Sequence, residues 1–148
     1  MTCERTLAHS LLPAENSQRA CAPDFMAAPM SLIFALDFQL DRILAEGLEN
    51  RFARHSAMAK RVQEWAEAHD QSIYAPAGYR SQTVTTIKND RNISISDLNT
   101  FLKQREMRIA NGYGQLKDKT FRIAHMGEIQ MEDIEKLLAA MEEFLKKN

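Results

Sequence analysis

Few side chains in this sequence are placed to do chemistry, and the best placed is Arg122, within Phe121-Arg122-Ile123-Ala124-His125-Met126-Gly127. Its guanidinium is permanently charged and sits between apolar neighbours, where an unpaired charge would be costly to bury. The planar fork of donors matches a carboxylate at two points, each charge-assisted hydrogen bond contributing about 1.5–3 kcal/mol. That carboxylate can belong to the protein or to a substrate, and the residues alone leave both open. Other candidates read more simply. Gly112-Tyr113-Gly114 has two glycines but not the third of a phosphate-binding fingerprint, so it is expected to be a hairpin turn. His55 and His125 have no acidic or cysteine cluster around them and fall on apolar faces, as packed core histidines do. Trp65 also falls on the core side of its helical pattern. Cys3 and Cys21 lack metal-ligand spacing, and free thiols in a reducing cytosol are the expected state. No catalytic residue, metal ligand or cofactor ligand is assigned.

The elements that must position Arg122 follow from periodicity. Ser31 is a good N-cap, and Leu32, Leu36, Leu40, Ile43, Leu44 and Leu48 recur at helical spacing. The pattern runs on through Phe52, His55, Met58, Ala59, Val62, Trp65 and Ala66. Gly47 is the natural break, which predicts helices over 31–46 and 48–69, with Arg42, Glu46, Glu49, Arg51, Arg54 and Lys60 as a solvated outer surface. Ile73-Tyr74-Ala75 is a brief extended piece ended by Pro76 and Gly78. The β-branched run Thr83-Val84-Thr85-Thr86-Ile87 reads as a strand, and 89–92 as a turn. Ser96 is expected to cap a helix of about ten residues with Leu98, Phe101 and Leu102 inside. Met107-Arg108-Ile109-Ala110 is a third extended piece, followed by the glycine turn and a strand over 120–125. Alternation along that strand puts Phe121, Ile123 and His125 on a buried face, and Arg122 and Ala124 on a face that could line a cleft. A last helix is striped by Ile134, Leu137, Leu138, Met141 and Leu145, with Glu132 and Asp133 at its start and Lys146 and Lys147 at its end, matching the helix dipole. The expected class is α+β: two N-terminal helices, then a small, largely antiparallel sheet with helices on one face.

Bulk properties bound the function. With 148 residues, 45% hydrophobic and 26% charged, and a net charge of -1, the chain can build one core and has no electrostatic reason to bind nucleic acid or an anionic membrane. No apolar run approaches the roughly 20 residues of a membrane span. A cytoplasmic, soluble domain is expected. Residues 1–28 lack sustained periodicity and a secretory signal pattern, so they are expected to be an irregular or disordered leader before a domain over 29–148.

Four blocks in order carry a family resemblance. These are Ser31-Leu32-Ile33-Phe34-Ala35-Leu36; Glu46-Gly47-Leu48-Glu49-Asn50-Arg51-Phe52-Ala53-Arg54-His55; Thr83-Val84-Thr85-Thr86-Ile87; and residues 109–127. Together they resemble the C-terminal small domain of class V, fold-type I pyridoxal-phosphate aminotransferases, in particular the alanine–glyoxylate and serine–pyruvate group. The resemblance implies amino transfer from alanine or serine to a 2-oxo acid such as glyoxylate or pyruvate. By position in the last block, Arg122 would grip the substrate α-carboxylate. Pyridoxal 5'-phosphate is the family cofactor, held mainly by a large N-terminal domain that carries the Schiff-base lysine. Nothing here matches that lysine's motif, and the 28 leader residues are too few to encode such a domain. A fragment that neither binds the cofactor nor transaminates alone is therefore expected, with a small 2-oxo acid or amino acid as ligand and a missing large domain or homodimer partner. Ala27-Ala28-Pro29 stands where the family often has threonine-proline reaching the partner's cofactor phosphate, and Asn111 stands where glycine is common. An apolar face of the helices over 31–69 should remain exposed without the large domain. The alternative reading is a standalone small-molecule binding or interaction module of ferredoxin-like outline.

Overall fold

Gly47 separates the first two helices, as its sequence context predicts. In the computed structural model, which describes residues 29–147, helix α1 is Met30–Glu46 and helix α2 is Leu48–Ala68. Gly47 closes the first through its N–H to Ile43 O (3.0 Å) and opens the second through its carbonyl to Arg51 N (3.0 Å). It does so at φ 82°, in the left-handed region where a Cβ would be strained. The structure divides into two units, 1–41 and 42–148, with the boundary inside α1. In the first unit the described residues from Met30 onward are helical, and Leu32, Phe34 and Leu36 are exposed. The expected exposed apolar face is present. The expected leader, with both cysteines, lies outside the described residues.

The second unit holds the core. Along α2, His55, Met58, Ala59, Val62, Trp65 and Ala66 are buried at three- and four-residue spacing, one face of a helix. Asp70, at φ 56°, turns the chain out of the helix. Strand β1 (Val84–Lys88) follows, then helix α3 (Ile95–Lys103), strand β2 (Ala110–Asn111), a 3-10 turn (Gly114–Leu116), strand β3 (Thr120–Ala124) and helix α4 (Met131–Lys147). The sheet order is β1-β3-β2, with β3 antiparallel to both neighbours. Strands β1 and β2 are therefore parallel to each other with β3 between them, and α3 connects them. This split β-α-β arrangement fits a ferredoxin-like outline but assigns no function. Ile73 forms an isolated antiparallel bridge to Ile87, which accounts for the brief extended piece read there.

Strand β1, and β3 from Phe121 onward, bury alternate residues. Thr85, Ile87, Phe121, Ile123 and His125 face inward, against α2, α3 and α4, while Arg122, Ala124 and Ala110 are exposed. Ile134, Leu137, Leu138, Ala140, Met141, Phe144 and Leu145 of α4 complete the core. Each large apolar side chain removed from water here stabilises the fold by about 1.5–3 kcal/mol, as an upper estimate. This is the α+β architecture expected, with helices on one face of a three-stranded antiparallel sheet.

Three local expectations are corrected. Ser31 lies inside α1 rather than capping it: the helix begins at Met30, and Pro29 O accepts from Leu32 N (2.8 Å) and Ile33 N (3.0 Å). Ser94, not Ser96, caps α3: its hydroxyl accepts from Asp97 N at 3.2 Å. The Asn89 side chain decides this, bonding both Ile93 N and Ile93 O at 2.9 Å and bringing the turn to its end one residue before Ser94. The extended piece read at 107–110 contributes only Ala110 to the sheet, because Ile109 N donates to Asn99 Oδ1 of α3 (3.0 Å) rather than to a strand.

Candidate functional site

Arg122 lies at the middle of β3, opposite Thr86 of β1 on one side and Ala110 of β2 on the other. Alternation sends its side chain to the face away from the helices, and it is exposed. Phe121 and Ile123 point the opposite way, into the core, so the guanidinium lies on the face that alternation assigns it. Its hydrogen-bond partner is a backbone carbonyl. Nε (3.3 Å) and Nη2 (3.1 Å) both donate to Asn111 O. Among the described residues no carboxylate lies within 4.0 Å of Arg122, so they orient the guanidinium without neutralising it. Its surroundings form an open cleft of about 480 Å³, whose lining includes Val84, Arg108, Ala110, Asn111, Arg122 and Ala124. The two alanines keep the floor low.

Asn111 builds the rim of this cleft. Its side-chain oxygen accepts from Gly112 N (2.7 Å) and Asp118 N (2.9 Å), and its Nδ2 donates to Asp118 Oδ1 (2.7 Å). The Asn111 side chain thus ties both ends of the glycine turn, while its backbone carbonyl holds Arg122. Asn111 is not in the left-handed region, so its backbone has no need of glycine at this place. Gly112 is required for a different reason. A Cβ there would stand 2.0 Å from Leu116 O, so the 3-10 turn packs directly over the glycine. The turn is a structural hairpin connection, as read from the sequence.

A second cluster fixes the far end of the Arg122 strand, built from residues whose spacing predicts only a solvated surface. Glu46 accepts from Arg54 Nε (2.7 Å) and Nη2 (2.9 Å) and from Arg51 Nη1 (2.7 Å). Arg54 also donates to Ile129 O and, at 3.0 Å, to Gly127 O, in the loop just after β3. Arg42 and Arg51 reach Glu128 in the same loop. The Arg54 hydrogen bonds, aided by Arg51 against partial burial, hold the Glu46 carboxyl at about 2, against an ordinary 4.5. Glu46 lies five and eight residues from its partners, across the Gly47 break. Helix-face spacing of three or four could not have found the pair. The nearest signal was the charge density around a glycine.

His125 has a core role. Gln82 O can only accept, so the Nδ1 at 3.2 Å carries the proton, and the bare Nε2 accepts from the Thr85 hydroxyl at 2.9 Å. Burial pushes its pKa down and keeps the ring neutral. His55 and Trp65 are buried as expected, with Trp65 Nε1 donating to Glu142 at 3.2 Å. Among the described residues no group of three potential metal ligands occurs, and no helix is long and apolar enough to cross a membrane.

No family profile matches the chain. Individual proteins do. An uncharacterised aminotransferase of Methanocaldococcus jannaschii is 36% identical over 118 residues, which is 79% of this chain and 31% of that protein. The L-aspartate–glyoxylate aminotransferase of Paracoccus denitrificans is 37% identical over 107 residues, 68% of this chain and 26% of that one. Among solved structures, the alanine–glyoxylate aminotransferase of Nostoc sp. superposes with a TM-score of 0.72 at 28% identity, over 80% of this chain and 32% of that one. The chain is related to the class V aminotransferases. It spans about three tenths of the length of these relatives.

Class V aminotransferases use pyridoxal phosphate, which needs an amine for its aldehyde and a carboxylate for its ring nitrogen. Neither lines the Arg122 cleft. Lys103 and Lys117 line an adjoining cavity of about 740 Å³, but both are exposed, without the desolvation that activates such an amine. These residues do not fit the cofactor.

Proposed function

We propose that this chain is the C-terminal, substrate-carboxylate-binding domain of a pyridoxal-phosphate-dependent aminotransferase, and that alone it does not transaminate. The whole enzyme would transfer an amino group from alanine or serine to a 2-oxo acid such as glyoxylate or pyruvate. The observation that carries this reading is the Arg122 guanidinium, held by Asn111 O on the open face of the sheet with no carboxylate partner among the described residues. A planar fork fixed at one edge presents its remaining N–H groups as a ready seat for a carboxylate. Relatives named for aspartate, alanine and glyoxylate agree with a substrate of that class. In the whole enzyme this seat would orient the substrate while a separate large domain supplies the cofactor.

The test is a titration of the full chain with pyruvate, followed by amide chemical shifts around β2 and β3. Saturable shifts that Arg122→Gln abolishes are expected. Equal binding by the variant, or no binding by the wild type, would overturn the clamp. Incubation with pyridoxal phosphate and borohydride should leave no lysine adduct that turns over; an active adduct would overturn the claim of inactivity.

A further inference from the structure

The cleft holds a second guanidinium. Arg108 lies two residues before Ala110, the direct partner of Arg122 in the sheet. Two residues along an extended chain return to the same face: Ile109 is buried, while Arg108 and Ala110 are exposed beside Arg122 and Ala124. Arg108 itself lies just outside β2, which pairs only Ala110 and Asn111 with β3, and meets the cleft from the exposed side of the chain. Both line the same cleft of about 480 Å³, and Arg108 also lines the larger cavity beside it, with Lys103 and Lys117.

The pairing of charges elsewhere makes this placement informative. Of the nine described arginines, Arg42, Arg51, Arg54, Arg61, Arg80 and Arg105 each meet a glutamate. Arg91, Arg108 and Arg122 meet none among the described residues, and two of these three share one cleft. Among the described residues the only acid lining either cavity, Asp118, is engaged by Asn111. Like charges lining one cleft repel, and a cleft of one sign concentrates counter-charge. A monocarboxylate on Arg122 would leave Arg108 without a partner. A short diacid would meet both.

We propose that the cleft selects dicarboxylates. Arg108 takes the distal carboxylate of a 2-oxo or amino diacid whose α-carboxylate sits on Arg122, with Ala110 and Ala124 leaving room for the chain between. This rests on the reading of Arg122 as the α-carboxylate clamp. It makes a diacid one of the substrates of the whole enzyme, alongside the short 2-oxo acids.

The test compares affinities of the full chain for 2-oxoglutarate and pyruvate by amide-shift titration at fixed ionic strength. The wild type should bind 2-oxoglutarate more tightly, and Arg108→Gln should lower the affinity ratio by roughly fivefold, the scale for one partly exposed ion pair. Lys136→Gln, which removes the same charge from the far side of α4, should leave the ratio as it is. Arg108 is exposed, so its replacement spares the core, and a retained amide spectrum verifies the fold. Equal wild-type affinities, or an unchanged ratio in Arg108→Gln, would overturn the selectivity while Arg122-dependent pyruvate binding survives. Binding of either acid without dependence on Arg122 would overturn both readings together.

Discussion

Replacing Gly112 by alanine tests whether the turn that holds Arg122 depends on space or on backbone freedom. The added Cβ would lie 2.0 Å from Leu116 O, 2.6 Å from Leu116 C and 2.6 Å from Thr120 Oγ1. Two of these atoms are backbone, so no rotamer change relieves the clash, and the 3-10 turn must move by more than an ångström to reach ordinary contact. Overpacking of this kind costs about 1–3 kcal/mol. Displacement also strains the hydrogen bond from Gly112 N to Thr120 O (2.8 Å), which contributes about 1 kcal/mol. The sum is about 2–4 kcal/mol. At a urea m-value of about 1.5 kcal/mol/M, the unfolding midpoint should fall by roughly 1.3–2.7 M. Gly114→Ala is the matched control. Gly114 has φ 56° but nothing within 4 Å of an added Cβ, so its cost is about 1 kcal/mol of backbone strain and its midpoint shift roughly 0.7 M. Gly112→Ala should also weaken pyruvate binding, since Asn111 O moves with the turn. If Gly114→Ala proves the more damaging change, or the two are equal, steric closeness is not what Gly112 provides.

Glu46→Gln should flatten the acid limb of stability. Because the folded Glu46 carboxyl sits at about 2 against an ordinary 4.5, its contribution is complete above about 4.5 and is lost as pH falls towards about 2. Urea midpoints across that window should fall more steeply in the wild type; parallel slopes would refute the clamp. For His125, burial disfavours the charged ring, so below 6.5 the unfolded chain binds the proton first and stability drops as pH falls. An imidazole titration by NMR should give a midpoint under 6.5; a value at or above it would contradict the neutral ring. Ser94→Ala should cost about 1 kcal/mol and Ser96→Ala less than about 0.5 kcal/mol in the same denaturation assay, and the reverse order would return the cap to Ser96.

What could be read from the sequence was short-range. Apolar residues three and four apart laid out α2 and α4, Gly47 marked the break between the first helices, and β-branched residues marked β1. Alternation at Phe121, Arg122 and Ile123 gave each side chain its correct face, and His55, His125 and Trp65 fell on the core side without any partner being known. The ordered blocks also pointed to the aminotransferase relatives. Each of these depends on neighbours within a turn or two of chain, where periodicity reports burial directly.

Tertiary structure decided which elements meet. Placing β3 between β1 and β2 set Ala110 against Arg122 and carried Arg108 into the same cleft. Packing of α3 took the Ile109 N–H for Asn99 and shortened β2. Glu46 found Arg54 across a helix break and, through it, the loop at Gly127. The question of what pairs with Arg122 belonged to this second group, because its partner is a carbonyl eleven residues away that a hairpin brings near. Periodicity says which way a side chain points. Which atoms await it depends on contacts between residues far apart in the chain, and only folding brings those together.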